Sequence, residues 1–443
     1  RGSSTCDLRL CFCPNQSTAD AIILVNEALQ GSHHSNRPLY AAFVDLVKAF
    51  DNVSRNVLFD KMQKQFHIPE KDTRVISLLY RHIHNYVRVK GKYSSSPFAV
   101  SKGVRQGNTH SPLLFNMYIK IEITGLQYVG VSLPHTEFDS PATALQSIFF
   151  ADDFALLSRS RSDMQNMLAF VHQWGRENHI HLSTSKTAWF GVHVAPAERL
   201  TYPAPSGIED VTLTRCDMFP YLGVRLHVDG TWDHEVNHRC SLVKKAITNS
   251  AFYYCNPHIP IPTRITVFTS ILRSKLTYAL PAISLTPDHI EQIERVQRLA
   301  LKKILGVYTH TPTAIVEGDT GIKSFQYCYN KHRLHFFSRR STRHSDSLLF
   351  RAYHHTPTFT LHKRWINNAL TATDLQHLRS TAPVEVAPAC SPASPLSPSP
   401  ARTHTSLHAH TPALTYACTN IQLHAYTHAC TNVCAHKHLH PHA

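Results

Sequence analysis

Two hydrophobic periodicities divide this chain. Up to about residue 226, short strand-like apolar runs alternate with amphipathic stretches, and from about Trp232 only helical spacing continues. Residues 18–30 predict a helix, with Ile22, Ile23, Val25 and Leu29 toward one side. Residues 39–46 predict a buried strand ending at Asp45. Ser54 suits the N-cap of a helix running to Gln65, and a second helix is expected over residues 70–82. Residues 86–89 and 98–100 look like strands flanking a turn at Gly91-Lys92. A helix should start at Ser111 and run to about Ile123, and residues 146–150 and 154–157 predict a hairpin with Ala151-Asp152-Asp153 at its tip. Met164, Met167, Leu168, Val171 and Trp174 recur at helical spacing and read as a core-facing stripe. Strands follow near residues 187–192 and 219–226.

Helices are then expected at 232–250, 261–280 and 286–305. The last carries Ile290, Ile293, Val296, Ala300 and Ile304 on one face and Arg295, Arg298 and Lys302 on another, either a binding surface or a solvated face. The prediction is an α+β fold: a strand-and-helix body, an all-helical basic lobe, and a tail of different material. Residues 381–400 are rich in Pro, Ser and Ala, and residues 401–443 are built largely from His, Thr, Ala, Leu and Cys. Such composition cannot bury enough apolar surface to offset ordering entropy, so residues 381–443 are expected to be disordered. His, Thr, Ala, Cys and Tyr are also what near-CA repeat DNA encodes. Cys418, His424, His428, Cys430, Cys434 and His436 lack the paired-ligand register of a zinc knuckle, leaving adventitious metal binding as the open alternative.

Charge changes the picture. The chain of 443 residues has a formal net charge of +15 without its 33 histidines, which points to a polyanionic partner. Residues 381–443 contain only Arg402, Lys437 and Glu385 as charged residues besides histidine, so nearly all the excess sits in the part expected to fold. Eleven scattered cysteines and no secretory signal suggest free thiols and an intracellular protein of nucleus or cytoplasm. No uncharged apolar run reaches the ~18 residues of a membrane span. Residues 261–285 come closest, but Arg264, Arg273 and Lys275 interrupt them. The chain begins with Arg1 rather than methionine, as a fragment of a longer protein would.

The candidate chemistry lies where two apolar runs end in acid. Phe43-Val44-Asp45 and Phe149-Phe150-Ala151-Asp152-Asp153 each place carboxylates at the end of a strand. A buried carboxylate costs several kcal/mol unless compensated, and a shared divalent cation compensates several at once. Hard oxygen donors suit Mg2+ and phosphate together, the ingredients of a two-metal phosphoryl-transfer site. A polar hairpin turn is the alternative for Asp152-Asp153, although the flanking phenylalanines argue against simple solvation.

The residues from Asp45 to Asp51 resemble motif A of reverse transcriptases, in the form typical of non-LTR (LINE-type) retrotransposons. Arg105-Gln106-Gly107 through Asn116 looks like their motif B, Phe150-Ala151-Asp152-Asp153 like motif C, Ser185-Lys186-Thr187 like motif D, and Tyr221-Leu222-Gly223 like the primer-grip motif E. Five motifs in the family's order, within residues 11–226, carry the resemblance. It implies a right-hand polymerase: incomplete fingers and palm over residues 1–226, the palm with an antiparallel sheet, a helical thumb over 227–310, and a connecting helical region over 311–380. It implies RNA-directed DNA synthesis with RNA template, DNA primer or target, and dNTPs as partners, and two Mg2+ ions (Mn2+ possible) held by Asp45, Asp152 and Asp153. Asp51 is expected to cap the segment after it instead of binding metal. Phe50 would exclude a ribose 2′-hydroxyl, or simply pack in the core. Gln106 and Gly107 would line the incoming nucleotide, and Arg105 would touch template or phosphate, or be a surface charge. Lys186 would be the general acid for pyrophosphate, or an ordinary exposed lysine. Tyr221, Leu222 and Gly223 would grip the primer.

The chain also departs from the family. Cys11-Phe12-Cys13-Pro14-Asn15-Gln16-Ser17-Thr18 stands where the family has a fingers motif with two arginines, here Cys13 and Gln16. Each lost arginine removes charge-assisted contacts of about 1.5–3 kcal/mol. Asn108-Thr109-His110 replaces the usual triplet of motif B. The stretch before Cys11 is too short for the earlier fingers motifs, and no endonuclease-like segment is recognisable. Two further readings follow: a catalytically inactive remnant that still binds nucleic acid, and a group II intron maturase-like reverse transcriptase.

Overall fold

A computed structural model of the chain describes residues 7–9, 16–81, 83–94, 96–119, 131, 145–203 and 210–340. The elements of its first part are β1 (Asp7–Arg9), α1 (Thr18–Ser35), β2 (Leu39–Asp45), α2 (Arg55–Lys64), α3 (Glu70–Arg81), β3 (His84–Asn85), β4 (Arg88–Val89), β5 (Lys92–Tyr93), β6 (Phe98–Ala99) and α4 (Ser111–Tyr118). There follow β7 (Ser147–Phe150), β8 (Asp153–Ser158), α5 (Arg161–Glu177), β9 (Ala188–Val192), β10 (Thr201–Pro203), β11 (Asp210–Thr212), β12 (Thr214–Arg215), β13 (Met218–Tyr221) and β14 (Val224–His227). Among the described residues only helices come after: α6 (Asp233–Asn249), α7 (Ala251–Tyr254), α8 (Ile261–Val267), α9 (Ser274–Thr277), α10 (Pro287–Leu305), α11 (Thr313–Thr320) and α12 (Phe325–Arg340). The class is α+β, as the pattern predicts.

The main sheet runs β1-β7-β8-β2-β9-β12, with β2 antiparallel to both β8 and β9. All seven residues of β2 are buried, and alternate side chains enter different cores. Leu39, Ala41 and Phe43 join the cluster beneath α1, and Tyr40, Ala42 and Val44 join the one beneath α2, α4 and α5. A strand covered on both faces reads as an unbroken apolar run, which is why no polar alternation marks it. Helix α5 places Met164, Met167, Leu168, Val171 and Trp174 in that second core, as its spacing predicts.

Helix α1 is longer than expected and is buried almost all round from Ala19 to Leu29, including Asp20, Asn26 and Glu27. One-sided burial was the expectation. The far side is covered by Trp232, Ala282 and Ile283, which share its cluster and come from residues some 200 positions downstream. Asp20 is accommodated by the peptide N–H and hydroxyl of Ser17, both donating at 2.7 Å.

Three local expectations are corrected. Residues 86–89 do not pair with 98–100: β4 pairs with β5 and β3 with β6, so one short ribbon is nested in sequence inside the other. Lys90 and Gly91 both have positive φ (47° and 83°), the geometry of a two-residue turn that forces the nearest partners together. Residues 219–226 are not one strand but the hairpin β13–β14, turning at Leu222 (φ 47°) and Gly223 (φ 80°). Helix α4 ends at Tyr118, and residues 120–123 lie outside the described residues. So do the fingers segment at Cys11 and Cys13, residues 341–380 of the expected connecting region, and the whole tail.

The helical part has its own core. Ile293, Val296, Ala300 and Ile304 of α10 are buried, while Arg295 and Arg298 both reach Glu291 (3.1 and 2.7 Å). The expected helix at 261–280 is α8, a π-helical turn at Phe268–Arg273, and α9. Arg264, which interrupts its apolar run, is buried and donates to the carbonyls of Tyr254 (2.8 Å) and Ile304 (2.7 Å). No helix among the described residues is long and apolar enough to cross a membrane.

Burial raises the phenols of Tyr40, Tyr118, Tyr202 and Tyr221. Tyr40 is pushed up to about 12, by burial first and then by its hydrogen bond to Glu198 (2.6 Å). The folded chain therefore keeps protons that the unfolded chain releases above its ordinary tyrosine value of 10.0. Stability should be fully present below that pH and fall as pH rises from about 10 toward 12. Thermal midpoints measured from pH 8 to 11 check this, with a shallower alkaline slope expected for Tyr40→Phe.

Candidate active site

The register of β2 against β8 sets Asp45 directly opposite Asp153. The hairpin β7–β8 pairs Phe150 with Asp153, so its turn is Ala151-Asp152, with Ala151 at φ 55°. Asp153 is thus the first residue of a strand instead of part of the tip, and Asp152 alone occupies the turn. Asp45 is 8% exposed, and Asp152 and Asp153 are partly buried.

The segment before β9 fixes Asp45 from the other side. Its carbonyl accepts from the Ser183 peptide N–H (2.8 Å), and its own N–H donates to Thr187 Oγ1 (3.4 Å). Lys186 lies between these anchors, with Nζ 3.6 Å from Asp45 Oδ2 and its side chain half exposed. An ion pair that open adds little stability. The lysine is therefore free to serve chemistry at low cost to the fold.

Phe43, two residues before Asp45, stacks on Phe219 (ring centroids 4.4 Å) and leans on Phe190 and Tyr221 (5.3 Å each). This cluster seats the β13–β14 hairpin beside the carboxylates. Tyr221 is 2% exposed, and burial, then the charge of Asp153, drive its phenol far upward. Its hydroxyl has no hydrogen-bond partner among the described residues. Leu222 and Gly223 make the turn, whose Leu222 carbonyl accepts from Tyr278 Oη (2.8 Å).

Phe50 packs face to face on Phe115 of α4 at 4.1 Å and is half buried. Its carbonyl accepts from Val104 N–H (3.0 Å), and Gly103 N–H donates to Val53 O (2.8 Å), which zips the loop after β2 to the loop before α4. Gly103 is obligatory here: φ is +85°, and a Cβ would meet Asp51 O at 2.8 Å. Arg105, Gln106 and Gly107 lie on the exposed outer part of this loop. Gln106 donates to Asp51 Oδ1 (3.5 Å), so Asp51 faces motif B's loop, contrary to the expectation that it caps the following segment. Gly107 (φ 84°) has open space where a side chain would stand.

Asp45, Asp152, Asp153, Lys186 and Tyr221 therefore converge, while Arg105, Gln106 and Gly107 lie exposed on the loop that Gln106 ties to Asp51. Sequence reasoning missed Arg55, whose guanidinium donates to the carbonyls of Gly103, Tyr80, Val100 and Lys102 (2.7–3.1 Å) and holds the loop's base. A lone arginine in a helix's first turn gives no signal of that. A cavity of about 710 Å³ is lined by residues including Glu27, Asp233, His289 and Arg333 and by none of the candidate carboxylates.

Residues 6–226 match the family described as "Reverse transcriptase (RNA-dependent DNA polymerase)". The chain belongs to this family. Its kind is that of non-LTR retrotransposons. It is 26% identical over 227 residues (49% of this chain, 20% of the relative) to the Pol polyprotein of type-2 retrotransposable element R2DM of Drosophila melanogaster. It is 24% identical over 300 residues (64% and 46%) to the Pol polyprotein of type-1 retrotransposable element R2 of Popillia japonica. The chain spans between a fifth and just under half of these relatives' lengths. Telomerase from Candida tropicalis shows a weak likeness (TM-score 0.38, 11% identity, 79% of this chain and 52% of that one).

Two substitutions test the packing around the site. Gly103→Ala should cost about 1–3 kcal/mol, read by urea unfolding, because it adds backbone strain and a clash. Tyr221→Phe should be neutral or raise stability by about 1 kcal/mol, because it deletes a buried hydroxyl that has no partner. A marked drop in thermal midpoint would show that the hydroxyl is bound.

Proposed function

We propose that this chain catalyses RNA-templated DNA synthesis, adding nucleotides to a primer 3′-hydroxyl at Asp45, Asp152 and Asp153. The observation that carries the reading is the cross-strand pairing of Asp45 with Asp153, with Asp152 in the adjoining turn and Lys186 3.6 Å from Asp45. Three carboxylates with a single half-exposed lysine beside them form an oxygen-rich donor set that fits a hard divalent cation. Asp45, Asp152 and Asp153 would hold two such ions, Mg2+ by chemistry. When bound they lower the pKa of the 3′-hydroxyl and neutralise charge on the leaving pyrophosphate.

The chain's own residues supply the rest. Lys186 would give a proton to the departing pyrophosphate, a role that its half-exposed, lightly engaged side chain supports. Phe50 is held by Phe115 in one orientation, as an exclusion of the ribose 2′-hydroxyl requires. Arg105, Gln106 and Gly107 present a charge, an amide and open backbone at the rim, where triphosphate and template would arrive. The Tyr221-Leu222-Gly223 turn carries the primer terminus. The partners are an RNA template, a DNA primer or target, and dNTPs, in keeping with the net charge of +15.

The test is extension of oligo(dT) on poly(rA) by the purified chain with Mg2+ and dTTP. Asp152→Asn should slow extension roughly a thousandfold while primer–template binding persists. Lys186→Ala should slow it about a hundredfold or more with affinity unchanged. Extension absent from the native chain, with binding retained, would leave it a nucleic-acid-binding remnant.

A further inference from the structure

A second cluster of metal-ligating side chains lies at the junction between β14 and α6. His227 ends the strand, Asp229 sits in the connecting turn, and His234 is the second residue of the helix. Their ligand atoms all lie within 4.8 Å of one another. His227 Nδ1 and Asp229 Oδ1 are 2.8 Å apart, and the two imidazoles stack with centroids 4.1 Å apart and planes 23° from parallel. We propose that His227, Asp229 and His234 bind a divalent transition ion, Zn2+ by chemistry, which clamps the end of the last strand to the first turn of the helical part.

The site is built more firmly than its exposure suggests. The turn that carries Asp229 is held from both sides. From α1, His33 Nε2 donates to Val228 O (2.8 Å) and Gln30 Nε2 donates to Gly230 O (2.7 Å). Just before β13, Asp217 O accepts from Val228 N–H (2.7 Å). Gly230 is at φ 73°, where a Cβ would meet Gln30 Nε2 at 2.8 Å, so the turn is committed to this shape. The Asp229 carboxylate is oriented by Thr231, whose N–H (2.8 Å) and hydroxyl (3.0 Å) donate to it. Hydrogen-bonded support of this kind fixes the carboxylates that ligate metals.

The donor set selects the ion. Two imidazoles and one carboxylate suit zinc and its neighbours, whereas Mg2+ prefers oxygen alone. Zinc bonds of about 2.0–2.2 Å set tetrahedral donor atoms roughly 3.3–3.6 Å apart, so His227 Nδ1 and Asp229 Oδ1, at 2.8 Å, part slightly around an ion, while the exposed His234 imidazole has its ligand atom within 4.8 Å of both. Three protein ligands leave a fourth position for water. These residues contribute nothing to the carboxylate cluster at Asp45, so the clamp and the catalytic reading stand or fall separately.

Hydrogen exchange on the full chain tests this, with Mg2+ present throughout and Zn2+ added. Peptides spanning residues 226–238 should exchange about tenfold more slowly at zinc ten times above its Kd. The double variant His227→Ala/His234→Ala should lose that protection while exchange in β2 stays native, which shows that it folds. Mg2+ alone should give none. Zinc uptake without slowing at 226–238, or slowing that survives the double variant, would place the ion elsewhere, for instance among the histidines of residues 401–443, and would overturn the proposal.

Discussion

Two carboxylates facing each other across a strand pair are the constraint on which the rest depends. Like charges directly opposite in a sheet repel, and burial strengthens the repulsion. Asp45 and Asp153 are held there by what surrounds them: six consecutive cross-strand pairs between β2 and β8, apolar cores on both faces, and the Ser183–Thr187 segment gripping the Asp45 backbone. Lys186 brings one positive charge to within 3.6 Å of Asp45.

Beyond the backbone bonds from Ser183 and Thr187, the geometry around that pair is set by aromatic packing. Phe43 organises one side, drawing Phe190, Phe219 and Tyr221 into one cluster. Phe50 and Phe115 organise the other. Rings restrict motion without adding charge, so the electrostatics of the site stay with its carboxylates and its lysine. Polar networks appear one layer out, where Arg55 collects four carbonyls at the base of the motif B loop.

Much of this was legible in the sequence where chemistry and periodicity agree. The run at residues 39–46 is apolar throughout because it is covered on both faces, and its terminal Asp45 stands out for the same reason. The stripe from Met164 to Trp174 identified its own core. What failed to show was partner choice. Nothing local says that residues 88–89 fold back on 92–93 instead of 98–99, since the deciding fact is the positive φ of Lys90 beside Gly91. The β13–β14 hairpin was hidden because Leu222 makes its turn, and a leucine with φ of 47° carries no turn signal. The all-round burial of α1 depends on residues near 282, beyond the reach of any local pattern. Arg55 belongs to the same class: its four acceptors are backbone atoms, and backbone atoms leave no trace in composition.

Tyr278 gives the two halves of the molecule a shared fate. Its hydroxyl meets the Leu222 carbonyl and Thr18 Oγ1, so one phenol touches the hairpin turn, the first residue of α1 and the chain leaving α9. Gly223 is small where its ring passes, at 3.2 Å from where a Cβ would be. A strand tip gripped in this way cannot register a displacement of the helical part as slack. The helices and the hairpin turn are thus joined through one aromatic ring, a single contact separating the helical part from the strand that carries Tyr221.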